Sequence, residues 1–282
     1  MAPSSLLLAA LLSLAAQPAS PKKSVFVITD AEGVAGICRQ EQVEPTNPEL
    51  QKLLTGEVNA AVRGFLSAGA EEVVVWDGHD GSRTLSAATL EPRARLVLGS
   101  LGPTMLLDRG LAAVAFVGQH ARANREAAVM AHSYSSLGIQ RILMNGREVG
   151  EIETRAALAG AFGVPVIFLS GDQAAADDLR GSVPEAETAV VKEGLGYYTC
   201  VSLAAEKAQE VIEKTAARAF AKAAQVHPYR IQGPVTIEVE YTTRNTPSPD
   251  ASLPAGIERV GPRTLRFSGK DFLTVWRLWA QR

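Results

Sequence analysis

Short runs of consecutive apolar, β-branched residues alternate along this chain with longer amphipathic stretches. Ser24 to Thr29 (SVFVIT) reads as a buried strand, because a continuous apolar run of that length needs cover on both faces. Asn47-Pro48-Glu49 supplies an N-cap, a first-turn proline and a first-turn acid, and opens a helix that runs to Gly69. Glu71 to Trp76 (EEVVVW) predicts the second strand, Ala94 to Leu98 a third and Ala113 to Val117 (AVAFV) a fourth. Gln140 to Met144 leads into Asn145-Gly146, a hairpin-type turn, and a helix follows from about Glu151 to Phe162. Val164 to Leu169 predicts a further strand, and Leu203 to Ala223 a long amphipathic helix.

Strands separated by helical segments imply an α/β fold: a mainly parallel sheet covered by helices on both faces. After His227 the texture changes. Pro234 to Tyr241 alternates like a half-exposed strand, Thr242 to Pro254 is a polar, proline-containing loop, and Arg263 to Phe267 is another short strand. The chain then closes with an aromatic helix, Asp271 to Trp279, on which Phe272, Trp276 and Trp279 share one face. That face suits either the chain's own core or an assembly surface. The division expected is a leader over 1–20, an α/β metal-binding catalytic domain over 21–226, and a small C-terminal α+β subdomain or assembly segment over 227–282.

The leader rests on Leu6 to Ala16, an apolar run of signal-peptide length, followed by small residues. It predicts export to the periplasm or outside the cell. It is too short to span a bilayer as a helix, so no stable membrane insertion is expected. The composition is that of an ordinary globular protein, 46% hydrophobic and 21% charged, and a net charge of −2 without any basic run excludes a nucleic-acid surface. Two cysteines, Cys38 and Cys200, are too few for a disulfide scaffold and lack zinc-finger spacing. An exported chain could pair them, but their separation in space is not legible, and the plain reading is two packed, non-catalytic thiols.

The candidate chemistry lies at the strand ends. Asp30 and Glu32 follow the first strand in Thr29-Asp30-Ala31-Glu32-Gly33. His79 follows the second in Trp76-Asp77-Gly78-His79-Asp80, and His120 follows the fourth in Gly118-Gln119-His120-Ala121-Arg122. Open α/β sheets bind ligands outside the carboxyl ends of their strands, so three strands deliver two carboxylates and two imidazoles to one edge. Histidine with carboxylates suits zinc, with manganese, iron or cobalt as alternatives. From pattern alone Glu151, in Val149-Gly150-Glu151, is a first-turn acid complementing a helix dipole. His132, in Val129-Met130-Ala131-His132-Ser133, is a loop histidine, and His227 has no company that suggests a role.

Taken together and in order, these motifs resemble the D-aminopeptidase family of zinc-dependent exopeptidases. The carriers are Asp30-Ala31-Glu32-Gly33 with Gly36, Asp77-Gly78-His79, Gly118-Gln119-His120-Ala121-Arg122, Val129-Met130-Ala131-His132-Ser133, Gly150-Glu151 and Ser170-Gly171-Asp172. The resemblance implies two zinc ions, with Asp30 as the bridging ligand, Glu32 and His120 on one metal, and His79 and Glu151 on the other. It gives His132 the catalytic role. It also implies an α/β fold and a homo-oligomer, since the family's known member forms stacked pentameric rings around its active sites.

The expected reaction is hydrolysis of the N-terminal bond of a short peptide or aminoacyl amide by metal-activated water. His132 is expected to protonate the leaving amine or to stabilise the oxyanion, and Asp77 or Asp80 to orient a ligand histidine. The sequence leaves the preference for D- or L-residues open. Two other readings stand beside this one. The scaffold could carry another metal-dependent amidase or phosphoesterase, although only Arg122 offers a cation near a ligand. The chain could also be a non-catalytic exported protein that binds peptides or metal.

Overall fold

The structure is a computed structural model that describes residues 23–249 and 252–280; the leader expected over 1–20 lies outside the described residues. The first strand, β1 (Ser24–Thr29), is buried at every position, as its continuous apolar run requires. Its neighbours are β2 (Glu72–Trp76) and β4 (Ala113–Gln119), both parallel to it, and β3 (Ala94–Val97) lies outside β2. On the other flank follow β7 (Val166–Asp172) and β8 (Glu187–Gly196), again parallel, and then the antiparallel edge strand β9 (Thr199–Ser202). The order β3-β2-β1-β4-β7-β8-β9 means that the chain winds outward from β1 in one direction and then returns to its other side. The crevice between the carboxyl ends of β1 and β4 is therefore the switch point of the sheet.

Helix α1 (Pro48–Ser67) begins as its sequence signals, with the Asn47 side chain accepting from Glu49 N at 2.9 Å. Its buried stripe of Leu50, Leu54, Val58, Ala61 and Phe65 meets the sheet, and Phe65 packs edge-on to Phe168 of β7 with ring centres 5.7 Å apart. Each fully buried Leu, Val or Phe of that stripe contributes ~1.5–3 kcal/mol relative to exposure. Helix α4 (Ala205–Ala221) packs along α1, while α2 (Glu151–Ala161) and α3 (Gln173–Arg180) pack on each other and on β7. Strands β4 and β7 are as fully buried as β1, so both faces of the sheet are covered.

A second, antiparallel sheet has the order β11-β12-β10-β5-β6. The hairpin of β5 (Ile139–Met144) and β6 (Arg147–Val149) turns at Asn145 and Gly146, both at positive φ, as the Asn-Gly signal predicts. The C-terminal strands β10 (Val235–Tyr241), β11 (Ile257–Gly261) and β12 (Thr264–Gly269) join this sheet by pairing β10 with β5. Helix α5 (Phe272–Ala280) then turns its aromatic face inward: Phe272 and Trp276 are buried, and Trp279 packs edge-on against Tyr134 at 5.0 Å. That face packs on the chain's own core, with Trp279 half-buried at its end. Helix α3 and strands β8, β9 and β11 form where the pattern gave no expectation. Among the described residues, no helix is long and apolar enough to cross a membrane.

Candidate metal centre

Two chain segments cross closely at the switch point. Asp30 N donates to Val117 O at 2.9 Å and Gly33 N to Gly118 O at 2.8 Å, lacing the loop after β1 to the end of β4. A Cβ on Gly33 would stand 2.0 Å from Gln119 O, and one on Gly118, at φ +75°, would stand 2.2 Å from Asp30 O. Only glycine allows this approach. Strand β4 consequently runs two residues past the expected Val117 and ends at Gln119, immediately before His120.

The crossing gathers Asp30, Glu32, His79, His120 and Glu151, all five buried. His79 Nδ1 lies 3.1 Å from Asp30 Oδ1 and 3.6 Å from Glu32 Oε2. His120 Nε2 lies 3.6 Å from Asp30 Oδ2 and 3.6 Å from Glu151 Oε1. The two oxygens of one carboxylate thus face two different imidazoles. Asp30 Oδ2 also accepts from Gln119 Nε2 at 3.0 Å, which fixes the plane of the carboxylate.

Backbone carbonyls set the tautomers. His79 Nε2 donates to Val43 O at 2.7 Å, and His120 Nδ1 donates to Ala121 O at 2.8 Å, so in the neutral rings the lone pairs of Nδ1 and Nε2 respectively point at the carboxylates. His120 Nε2 and Glu32 Oε2 are buried without any hydrogen-bond partner. Oriented lone pairs and orphaned acceptors around one carboxylate are what a cation requires and what a hydrogen-bonded core avoids. Donor atoms of Asp30, Glu32 and His120 lie within 4.8 Å of one another, as do those of His120, His132 and Glu151. The donor set fits zinc.

The trio of Asp30, Glu32 and His120 is the one the resemblance implies for a single metal. His79 stands at the other oxygen of Asp30, and Glu151, heading α2, comes in beside His120 from the β7 side.

The charges show the same demand. Burial works to raise the Asp30 carboxyl, but the hydrogen bond from His79 and the charges of His120 and His79 outweigh it and hold Asp30 well below the usual carboxylate range. Glu32 is pushed up to about 7 by burial and by the neighbouring Asp30 charge. Burial opposes charge on His79 and His120, yet the surrounding carboxylates prevail and both are pushed up to about 10. At Glu151 burial is outweighed by Arg155 and His120, and the acid falls to about 2. With protons as the only mobile cations, the cluster retains them on imidazoles and on Glu32. A divalent ion held by these residues would meet the same demand in place of those protons.

His132 sits beside this set. Its ring stacks on that of His120 at 3.9 Å and 16°, it is half-buried, and its Nδ1 donates to Met130 O at 2.8 Å, leaving Nε2 free. Burial and the charge of His120 hold its pKa below the ordinary histidine value. The segment carrying it is strained, with Asn124, Ala127, Met130 and Tyr134 all at positive φ. It is tied down by Asp172, whose carboxylate accepts from Val129 N at 3.0 Å while capping α3 at Ala175 N.

Several residues that build the site escape a sequence reading. Arg155, one turn along α2 from Glu151, pairs with it at 3.1 Å between the rings of Trp76 and Tyr134. Tyr134 N donates to Glu151 Oε1 at 2.6 Å. Lys192 of β8 is buried, and its Nζ donates to the carbonyls of Glu32, Val34 and Ile37, clamping the loop that bears two ligands. A lone lysine inside Ala189-Val190-Val191-Lys192 was the only sign of it.

The expected second-tier acids do not serve as expected. Asp77 accepts from Thr84 N and Leu85 N at 2.7 and 2.8 Å and so orders its own loop, while the exposed Asp80 stays 4.0 Å from His79. The carbonyls of Val43 and Ala121 orient the ligand histidines instead. Arg122 is engaged with Glu148 Oε2 and Ala123 O, both at 3.1 Å. His227 lies exposed beside Glu185 at 3.1 Å.

The chain is 27% identical over 259 residues to a D-aminopeptidase from Bacillus subtilis (strain 168), covering 90% of this chain and 94% of that one. It superposes with a TM-score of 0.82 and 26% identity on a solved structure described as the Zn-dependent D-aminopeptidase DppA from Bacillus subtilis, a self-compartmentalizing protease, covering 92% of this chain and 96% of that one. Residues 24–280 match the family Peptidase_M55, described as D-aminopeptidase, and the chain belongs to that family.

Proposed function

We propose that this protein is a di-zinc aminopeptidase that releases N-terminal residues, D-residues among them, from short peptides and aminoacyl amides. The observation that carries this reading is the pair of imidazole lone pairs, each fixed by a backbone carbonyl, facing the two oxygens of the single buried Asp30 carboxylate. In this reading Asp30 would serve both ions, Glu32 and His120 would hold one, and His79 and Glu151 the other. Zinc held there supplies Lewis acidity toward the scissile carbonyl and lowers the pKa of bound water to about 7.

The chain's own groups do the rest. Arg155 and Tyr134 N hold the Glu151 carboxylate in place, and Lys192 holds the loop of Asp30 and Glu32. His132 is the acid–base group. Its Nδ1–H is committed to Met130 O, so Nε2 is the atom that takes up a proton and passes it to the departing amine. Its lowered pKa keeps it in the accepting form near neutral pH.

Two further parts of the proposal concern assembly and location. A closed homo-oligomer, for which the self-compartmentalizing relative is the support, would draw on the exposed Leu195, Tyr197, Tyr198 and Val201 around the β8–β9 turn. Export rests on the apolar run of Leu6 to Ala16. A panel of D- and L-aminoacyl amides and dipeptides, run with zinc-loaded and chelated enzyme, tests the activity. Two zinc equivalents and chelator-sensitive release of the N-terminal residue are expected, and turnover that survives complete metal removal would overturn the reading.

A further inference from the structure

The chain's only two cysteines, distant in sequence, meet beside the metal-binding loop. Cys200 lies on β9 two residues before Ser202, so the alternation of a strand puts both side chains on one face. Ser202 Oγ accepts from Gly36 N at 2.8 Å, which fixes that face against the stretch Gly36-Ile37-Cys38. A second tie comes from Lys192, paired in register with Ser202, whose Nζ donates to Ile37 O. The two thiols are then in side-chain contact, both half-buried and open to small reagents.

We propose that Cys38 and Cys200 form an intramolecular disulfide that fastens the loop of residues 30–38, with Asp30 and Glu32 on it, to strand β9. This inference does not depend on the peptidase reading. An exported chain meets a compartment in which such a bond persists. The oxidant is an external disulfide of the glutathione class. One thiolate of the pair attacks one external sulfur and expels the first thiolate. The other thiol then loses its proton, attacks the protein sulfur of the mixed disulfide and expels the second. The two cysteines together give up two electrons and two protons, and the external disulfide becomes two thiols.

The test uses reduced, zinc-loaded full chain incubated with oxidised glutathione, followed by blocking of free thiols with N-ethylmaleimide, intact mass and peptide mapping. The expected product is a monomer lighter by two hydrogens, without maleimide or glutathione adducts, and with a linked Cys38–Cys200 peptide. Its melting midpoint should stand roughly 5–10 °C above that of the reduced form and fall back on reduction. Cys200→Ser should keep its zinc, show no linked peptide and show no oxidant-dependent rise in midpoint. Stable glutathione adducts, interchain dimers or two maleimide adducts after prolonged exposure would each overturn the bond. A linked protein that loses zinc to a chelator as fast as the reduced form would overturn the fastening of the loop.

Discussion

His132→Ala against His120→Ala is the comparison that separates catalyst from ligand within one short segment. The His132 side chain hydrogen-bonds Met130 O and otherwise stacks on His120. Removing it leaves all five buried donors of the metal cluster in place, so zinc content should stay at the parent level. The lost ring contact costs about 0.5–1.5 kcal/mol of stability. Turnover should fall by roughly 10²–10⁴-fold, about 2.7–5.4 kcal/mol of barrier at 1.36 kcal/mol per decade. His120→Ala removes the imidazole whose lone pair stands between Asp30 and Glu151, so metal and activity should go together. The assay is zinc content by mass spectrometry beside hydrolysis of aminoacyl amides across pH. Because burial and the adjacent His120 charge lower the His132 pKa, the base form persists below pH 6.5, and the acid limb of kcat/KM should fall below that value. A bound zinc ion repels a proton on His132 in the same sense. His132→Ala that hydrolyses at the parent rate, with its acid limb unmoved, would refute the role.

Other outcomes follow from the same contacts. Asp30→Ala should lose both zinc ions, because each oxygen of that carboxylate faces a different histidine, whereas His79→Ala should retain the ion held by Asp30, Glu32 and His120. Two full equivalents on Asp30→Ala would remove the bridging assignment. Lys192→Met should keep the fold yet weaken zinc binding by roughly 10–100-fold, the usual effect of losing a group that supports ligands, and a competition titration reads it. Glu57 is buried, and burial pushes its pKa up to about 7. The unfolded chain ionises it nearer 4.5, so its contribution to stability is full below that pH and is lost as pH rises toward 7. Glu57→Gln should therefore melt a few degrees above the parent at pH 8 and match it near pH 4.5, and an equal shift at both would defeat the titration argument.

The sequence by itself determined the frame of the site. Strands β1, β2 and β4 were legible because a strand buried on both faces must be a continuous apolar run, and that is a local property. Their ends were legible for the same reason, which placed Asp30, His79 and His120 on one edge. Helix α1 announced itself through Asn47 and Pro48, and the β5–β6 turn through Asn145-Gly146. Glu151 and His132 looked ordinary in isolation and gained roles only through the family resemblance.

Tertiary structure decided what depends on contacts between distant residues. That β1, β2 and β4 lie side by side, which gathers the five donors, follows from strand order, and strand order leaves no periodic trace in the chain. The joining of β10 to β5 gives the C-terminal strands a sheet shared with residues 139–149, because edge pairing is set by what lies nearby in space. Strand β8 hid because a buried lysine interrupts its apolar pattern, and that lysine became intelligible only beside the three carbonyls it binds. The meeting of Cys38 with Cys200 is of the same kind: two unremarkable thiols in sequence, brought together across the metal loop by the pairing of β9 with β8.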